Sequence, residues 1–202
     1  SLWKPSFYDS SALEGWVRDA LDMDLVRQSD RQLFVGAVSW NTGEYRIASD
    51  KDDNLSEWIL ASASFPLFFE PVEIDGELWT DGGVRNVTPI AEAVKQGADV
   101  IDIIMVAGDG QMGYFDAKMG SIIPYIPRTI EMMNNEVIRN DIRIIGLKND
   151  LATINPKYRH IEINLLQPPQ GLGVDSLDFN QDDVQRMRLI GYKDALKFRL
   201  KP

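Results

Sequence analysis

A chain of 202 residues has room for one domain with a real core and not for two large ones. Its formal net charge of −10 argues against a nucleic-acid surface, which needs clustered Lys and Arg, and against recruitment to anionic membranes by charge alone. With no cysteine and one histidine, disulfides and thiolate chemistry are excluded and a zinc site is disfavoured; the composition leans toward a reducing, cytoplasmic compartment without fixing one.

No apolar run approaches the roughly 20 residues of a membrane-spanning helix. The chain begins at Ser1, so any upstream segment lies outside it. Ser11 and Glu14 form a capping-box pattern, and Leu13, Trp16, Val17, Ala20 and Leu21 follow helical spacing. Leu33 to Trp40 reads as a buried strand, Asn41-Thr42-Gly43 as a turn, and Glu44 to Ala48 as a returning strand. The run Asp50, Lys51, Asp52 and Asp53 reads as a solvated loop. Trp58 to Ala63 is expected to form a short apolar helix ended by Pro66. Val72 to Trp79 then reads as a hairpin around a two-residue Asp75-Gly76 turn, which sets Val72 opposite Trp79.

The second hairpin strand ends on Asp81, followed by Gly82 and Gly83. Thr88 and Pro89 open a helix that Gly97 stops, and Val100 to Val106 reads as an interior strand. Gly108 to Gly120 is a glycine-rich loop. A long helix is expected from Pro127 to about Lys148, with Ile130, Met133, Val137, Ile144 and Ile145 on its inner side. Arg159 to Leu166 reads as a late strand, Gln167 to Gly173 as a loop, and Asn180 as the N-cap of a last helix carrying Val184, Met187, Ala195 and Phe198. Helix and strand in alternation suggest α/β layers.

One stretch carries chemistry. Ala61-Ser62-Ala63-Ser64-Phe65-Pro66, the Asp-Gly hairpin, Asp81-Gly82-Gly83, Asn86 and Pro89 together resemble the second signature region of patatin-like phospholipases. The likeness extends outward, through Ser1 to Asp22, the strand from Leu33, Thr42-Gly43, Gly97-Ala98-Asp99, Leu177-Asp178-Phe179 and Gly191-Tyr192. The resemblance implies an α/β fold with a central, mostly parallel sheet between helices. It implies a lipid acyl hydrolase that uses a Ser–Asp dyad, with no metal or organic cofactor. Its partners would be a lipid or other acyl ester and, through apolar surface or a local basic patch, the periphery of a membrane. By position in the motif Asp81 is the catalytic aspartate, with Gly82 and Gly83 letting the backbone turn beside it. An unactivated serine hydroxyl needs a hydrogen-bonded base, and a carboxylate can serve if burial raises its basicity.

The family's G-x-S-x-G nucleophile elbow and glycine-rich oxyanion loop do not occur in these 202 residues. In the family both lie upstream of the region that Ser1 resembles. The expectation is therefore that residues 1–202 are the C-terminal part of a single hydrolase domain whose N-terminal portion is missing, inactive alone. The alternative is a non-catalytic patatin-like module that binds a lipid or a protein. Ser62 and Ser64 are expected to pack or cap beside the hairpin, and Ser121 lacks the second glycine of an elbow. His160 is expected to be a surface or satisfied strand residue, since the dyad needs no imidazole. Gly108-Asp109-Gly110 lacks phosphate-loop spacing. Met132 and Met133 are expected in the core, as are Phe65, Leu67, Phe68 and Phe69, for which lining an acyl-chain pocket is the alternative.

Overall fold

The structure, a computed structural model, describes residues 9–105, 125–168 and 180–199. The chain divides into two compact units, Ser1–Pro89 and Ile90–Pro202.

The first unit opens with α1 (Ser11–Ala20) and α2 (Met23–Gln28). Ser11 turns out to be the first helical residue of α1: the Asp9 carboxylate accepts its N–H at 2.8 Å, and Ser10, not Ser11, bonds Glu14. Helix α2 is short and has no buried residue, so it lacks the apolar stripe that would reveal it in sequence; Asp22 caps it by accepting from the Leu25 N–H. Strands β1 (Phe34–Ser39) and β2 (Tyr45–Ser49) pair antiparallel through the predicted Asn41-Thr42-Gly43 turn, where Gly43 has φ of 74°. Helix α3 spans Leu55–Ala63. Strands β3 (Val72–Ile74) and β4 (Glu77–Asp81) form the hairpin in the expected register, with Val72 opposite Trp79. Asp75 and Gly76 both have positive φ, 55° and 80°, as a type I′ turn requires.

These strands form one antiparallel sheet in the order β2-β1-β4-β3. Helix α3 covers one face, where Ala37, Ala48, Trp58, Ala61, Ile74 and Trp79 make a core cluster. The Trp58 and Trp79 rings meet edge to face at 4.8 Å, and the Arg46 guanidinium lies 4.4 Å from the Trp58 ring centre. The acidic run is only partly a solvated loop: Asp52 turns back to accept from the Ser49 N–H at 2.8 Å and from Arg46 at 2.9 Å.

The second unit contains α4 (Ile90–Lys95), β5 (Val100–Ile104), α5 (Tyr125–Ala152), β6 (Glu162–Leu166) and α6 (Gln181–Arg199). Gly97, at φ of 100°, ends the α4 turn as predicted, and the Asn180 side chain caps α6 by accepting from the Asp183 N–H. Strands β5 and β6 pair in parallel, and the long connection between them includes α5, as a parallel pair requires. Ile90, Ile103, Ile145 and Ile161 form the core of this unit.

The molecule is therefore mixed α/β, but the expected central, mostly parallel sheet needs correction. The described strands form a four-stranded antiparallel sheet and a separate parallel pair. Tight turns join β1 to β2 and β3 to β4, and such turns can only produce antiparallel neighbours. A second correction concerns α5. Ile145 is buried as expected and Ile130 is half-buried, with Ile142 packed against the cluster that holds Ile145, whereas Met133, Val137 and Ile144 are exposed and Ile138 is buried instead. Part of the expected stripe is therefore replaced, and Met132 and Met133 are not core.

Candidate active site around Asp81

The elements around Asp81 hold it from three sides. Asp81 is the last residue of β4 and sits opposite Ala37 of β1. The β3–β4 pairing ends at Val72 and Trp79, so β3 offers no acceptor for the Asp81 amide. The Ser64 carbonyl, just past the end of α3, takes that place and accepts the Asp81 N–H at 3.1 Å. The Thr80 hydroxyl donates to the same carbonyl at 2.5 Å. The Ser64 hydroxyl turns back to donate to Leu60 O at 2.8 Å, so this buried serine caps and packs as expected. Ser62 lies half-buried within α3.

Beyond Asp81 the chain enters a single 3₁₀ turn, Gly82–Val84. The Asp81 carboxylate caps that turn: Oδ1 accepts the Gly83 N–H at 2.6 Å. Gly82 is required by space, not by a left-handed φ, which neither glycine adopts. A Cβ on Gly82 would stand 2.5 Å from the Gly36 carbonyl oxygen and 2.6 Å from its carbon, a backbone contact that cannot yield. A Cβ on Gly83 would crowd Asp81 Oδ1 at 3.0 Å. Downstream, the Arg85 guanidinium donates to Gly43 O and ties the 3₁₀ turn to the β1–β2 turn.

Burial raises the proton affinity of the Asp81 carboxyl above the usual aspartate range, and the Gly83 N–H only partly opposes this. Among the described residues Asp81 makes no ion pair, and Gly83 is the one hydrogen-bond donor to its carboxylate. Among the described residues no fully buried side-chain oxygen lacks a partner, so Oδ2, which has none, is not fully buried. The arrangement is a strand-held carboxylate of raised basicity, with one oxygen bonded to the Gly83 N–H and the other without a hydrogen-bond donor among the described residues.

The remaining candidates fall elsewhere. His160 is exposed, just ahead of β6 in the second unit. Ser121 and Gly108-Asp109-Gly110 lie outside the described residues. Phe65, Phe68 and Phe69 are half-buried and belong to no core cluster of the described residues; Leu67 is exposed, with φ of 74°, so for Leu67 the expectation of ordinary core is corrected. The Phe65 and Phe68 rings lie 5.9 Å apart in this turn, which starts directly after Ser64. Among the described residues no group of three or more His, Cys, Asp or Glu could hold a metal ion, and no helix is long and apolar enough to cross a membrane. Sequence reasoning missed the clamp of Thr80 and Asp81 on the Ser64 carbonyl. Its only trace was the proximity of the serine-rich segment to the hairpin.

The resemblance read from the residues holds for the first part of the chain. The family model described as patatin-like phospholipase matches residues 1–94. The match takes in Asp81, Gly82 and Gly83 and ends within α4. The likeness read further on, at Gly97-Ala98-Asp99 and beyond, rests on those residues alone.

Proposed function

We propose that residues 1–202 are the C-terminal part of a single patatin-like lipid acyl hydrolase domain, with Asp81 as the general base of a Ser–Asp dyad whose serine lies on a segment upstream of Ser1. The observation that carries the reading is Asp81 itself, in a segment that matches a phospholipase family. Its carboxylate is anchored through Oδ1, raised in proton affinity by burial, and without a donor at Oδ2 among the described residues.

The chemistry follows from that geometry. A serine hydroxyl donating to Oδ2 would lose its proton to Asp81 as its oxygen attacks the acyl carbonyl carbon. The protonated carboxyl would then return the proton to the departing alkoxide, leaving an acyl-enzyme. Water, deprotonated by the same carboxylate, would release the fatty acid and restore the serine. Partial burial suits this cycle, because a carboxylate of ordinary acidity is a weak acceptor for a serine proton.

Contact with lipid would be made through apolar surface. The Phe65–Phe69 turn, with Leu67 exposed beside the residue that anchors Asp81, supports this, and the segment from Asp52 to Val84 contains no Lys or Arg. The second reading, a non-catalytic lipid- or protein-binding module, is favoured by the lack of a G-x-S-x-G within the chain. A fluorophosphonate, which labels activated serines, separates the two. A protein extended upstream of Ser1 is expected to be labelled, and the Asp81→Asn variant to lose labelling. A folded, extended protein that takes no label would overturn the enzymatic reading.

A further inference from the structure

We infer that Thr80 is a positioning residue for Asp81, acting through a shared acceptor that fastens the end of α3 to the end of β4. The functional part of this inference rests on the reading of Asp81 as the base; the structural part does not. Thr80 is 1 % exposed, and its hydroxyl donates to the Ser64 carbonyl at 2.5 Å. The same carbonyl accepts the Asp81 N–H at 3.1 Å. Two adjacent residues of β4 therefore grip one oxygen at the point where β3 has stopped pairing.

Without this grip the last residue of β4 would be held on one side only, by Ala37 of β1. A backbone free on the other flank would let the Asp81 carboxylate swing and take on water. The remaining contacts do not substitute for it. The Gly83 N–H bonds Oδ1 from within the same turn and moves with it. The Ser64 hydroxyl points back to Leu60 O and holds the carbonyl's own residue to α3. Thr80 and the Asp81 amide are thus the tie between the two elements, and Thr80 supplies it from a side chain that substitution can remove.

The test uses the 202-residue chain. Thr80→Val keeps the shape and removes the donor, and Ser64 O keeps the Asp81 N–H, so no acceptor is orphaned and the fold is expected to hold. Loss of one ordinary hydrogen bond corresponds to about a tenfold rise in local opening. Hydrogen exchange of the Asp81 amide should accelerate by about that factor, while amides of the β1–β2 pair stay as they are. The carboxyl resonance of Asp81, followed by carbon-13 NMR, should titrate at lower pH as the group hydrates. Thr80→Ser, which restores the hydroxyl, should recover both.

If Thr80→Val does not fold, Thr80→Ala removes the same donor and is read in the same way. Unchanged Asp81 exchange and titration in a folded variant overturns the inference, as does acceleration spread equally over every amide. In a protein extended upstream, Thr80→Val is expected to lower kcat about tenfold with KM unchanged. If Asp81→Asn leaves that activity intact, the reading of Asp81 as the base fails, while the positioning of Asp81 by Thr80 still stands or falls on the exchange and titration data.

Discussion

At Asp81, stability and chemistry pull in opposite directions. Its folded-state proton affinity is raised by burial, so the folded chain keeps that proton to higher pH than the unfolded chain does. The corresponding stability is fully present below the ordinary aspartate value of 3.8 and is lost as the pH rises through the raised one. Asp81→Asn keeps an acceptor for the Gly83 N–H and removes the buried charge. It should therefore melt at a higher temperature than the parent near neutral pH, with the difference shrinking in acid. In a protein extended upstream, the same change should reduce ester hydrolysis by roughly 10²- to 10⁴-fold, the contribution of a general base. Normal turnover in a folded Asp81→Asn protein would remove Asp81 from the mechanism. Asp52 has the opposite sign. The Ser49 N–H, its side chain and Arg46 hold the Asp52 carboxyl below the usual range, with burial opposing. That stability is present above the ordinary value and is lost as the pH falls through the depressed one. Asp52→Asn should cost about 1 kcal/mol near neutral pH, measured by urea unfolding, and less in acid.

Among the elements, the β3–β4 hairpin separates two kinds of glycine. Gly76 is held at φ of 80° with open space around it, so the cost of a side chain there is conformational. Gly76→Ala should lose roughly 1 kcal/mol, and Asp75→Asn should be nearly neutral, because asparagine also suits the positive φ of a type I′ turn. Gly82 is the reverse case: ordinary φ, and no space against the Gly36 backbone. Gly82→Ala must push the 3₁₀ turn off β1 and should cost about 1–3 kcal/mol, with exchange accelerating at Asp81 and Ala37 in preference to the hairpin turn. Equal and uniform effects of Gly76→Ala and Gly82→Ala would show that the distinction is wrong. Helix α5 shows how an element can be foreseen and its face partly misjudged. Packing with Ile103 and Ile161 buries Ile145 and takes Ile142 beside it, while Ile144 stays exposed.

For the whole molecule the expectation is set by what the 202 residues contain. They carry the proposed base and no G-x-S-x-G elbow, so the purified chain should not turn over a chromogenic short-chain ester. Turnover that survives purification and responds to Asp81→Asn would show that another serine serves. In a protein extended upstream, His160→Ala should retain most activity, since His160 is exposed and lies in the other unit from Asp81. A loss of about 10³-fold with the fold intact would point to a triad instead of a dyad.

The features the sequence determined by itself are those whose causes lie within a few residues. The Asp75-Gly76 turn and its register, the Asn41–Gly43 reversal, the Asn180 cap and the stop at Gly97 each follow from backbone preferences of adjacent residues. The motif spacing around Asp81 was legible for the same reason, and it carried the family resemblance for residues 1–94. Tertiary structure alone decided that β1 also pairs with β4, and that β5 and β6 pair in a second sheet. It decided that Leu67 is exposed, and that Gly82 is glycine because Gly36 lies against it. It also decided that Ser64 O receives both Thr80 and Asp81. The β1–β4 pairing, the approach of Gly82 to Gly36 and the clamp on Ser64 O each depend on groups 16 or more residues apart meeting at a particular distance, as Thr80 and Ser64 do. Local propensity and periodicity carry no information about such meetings, because they are set by how the elements pack.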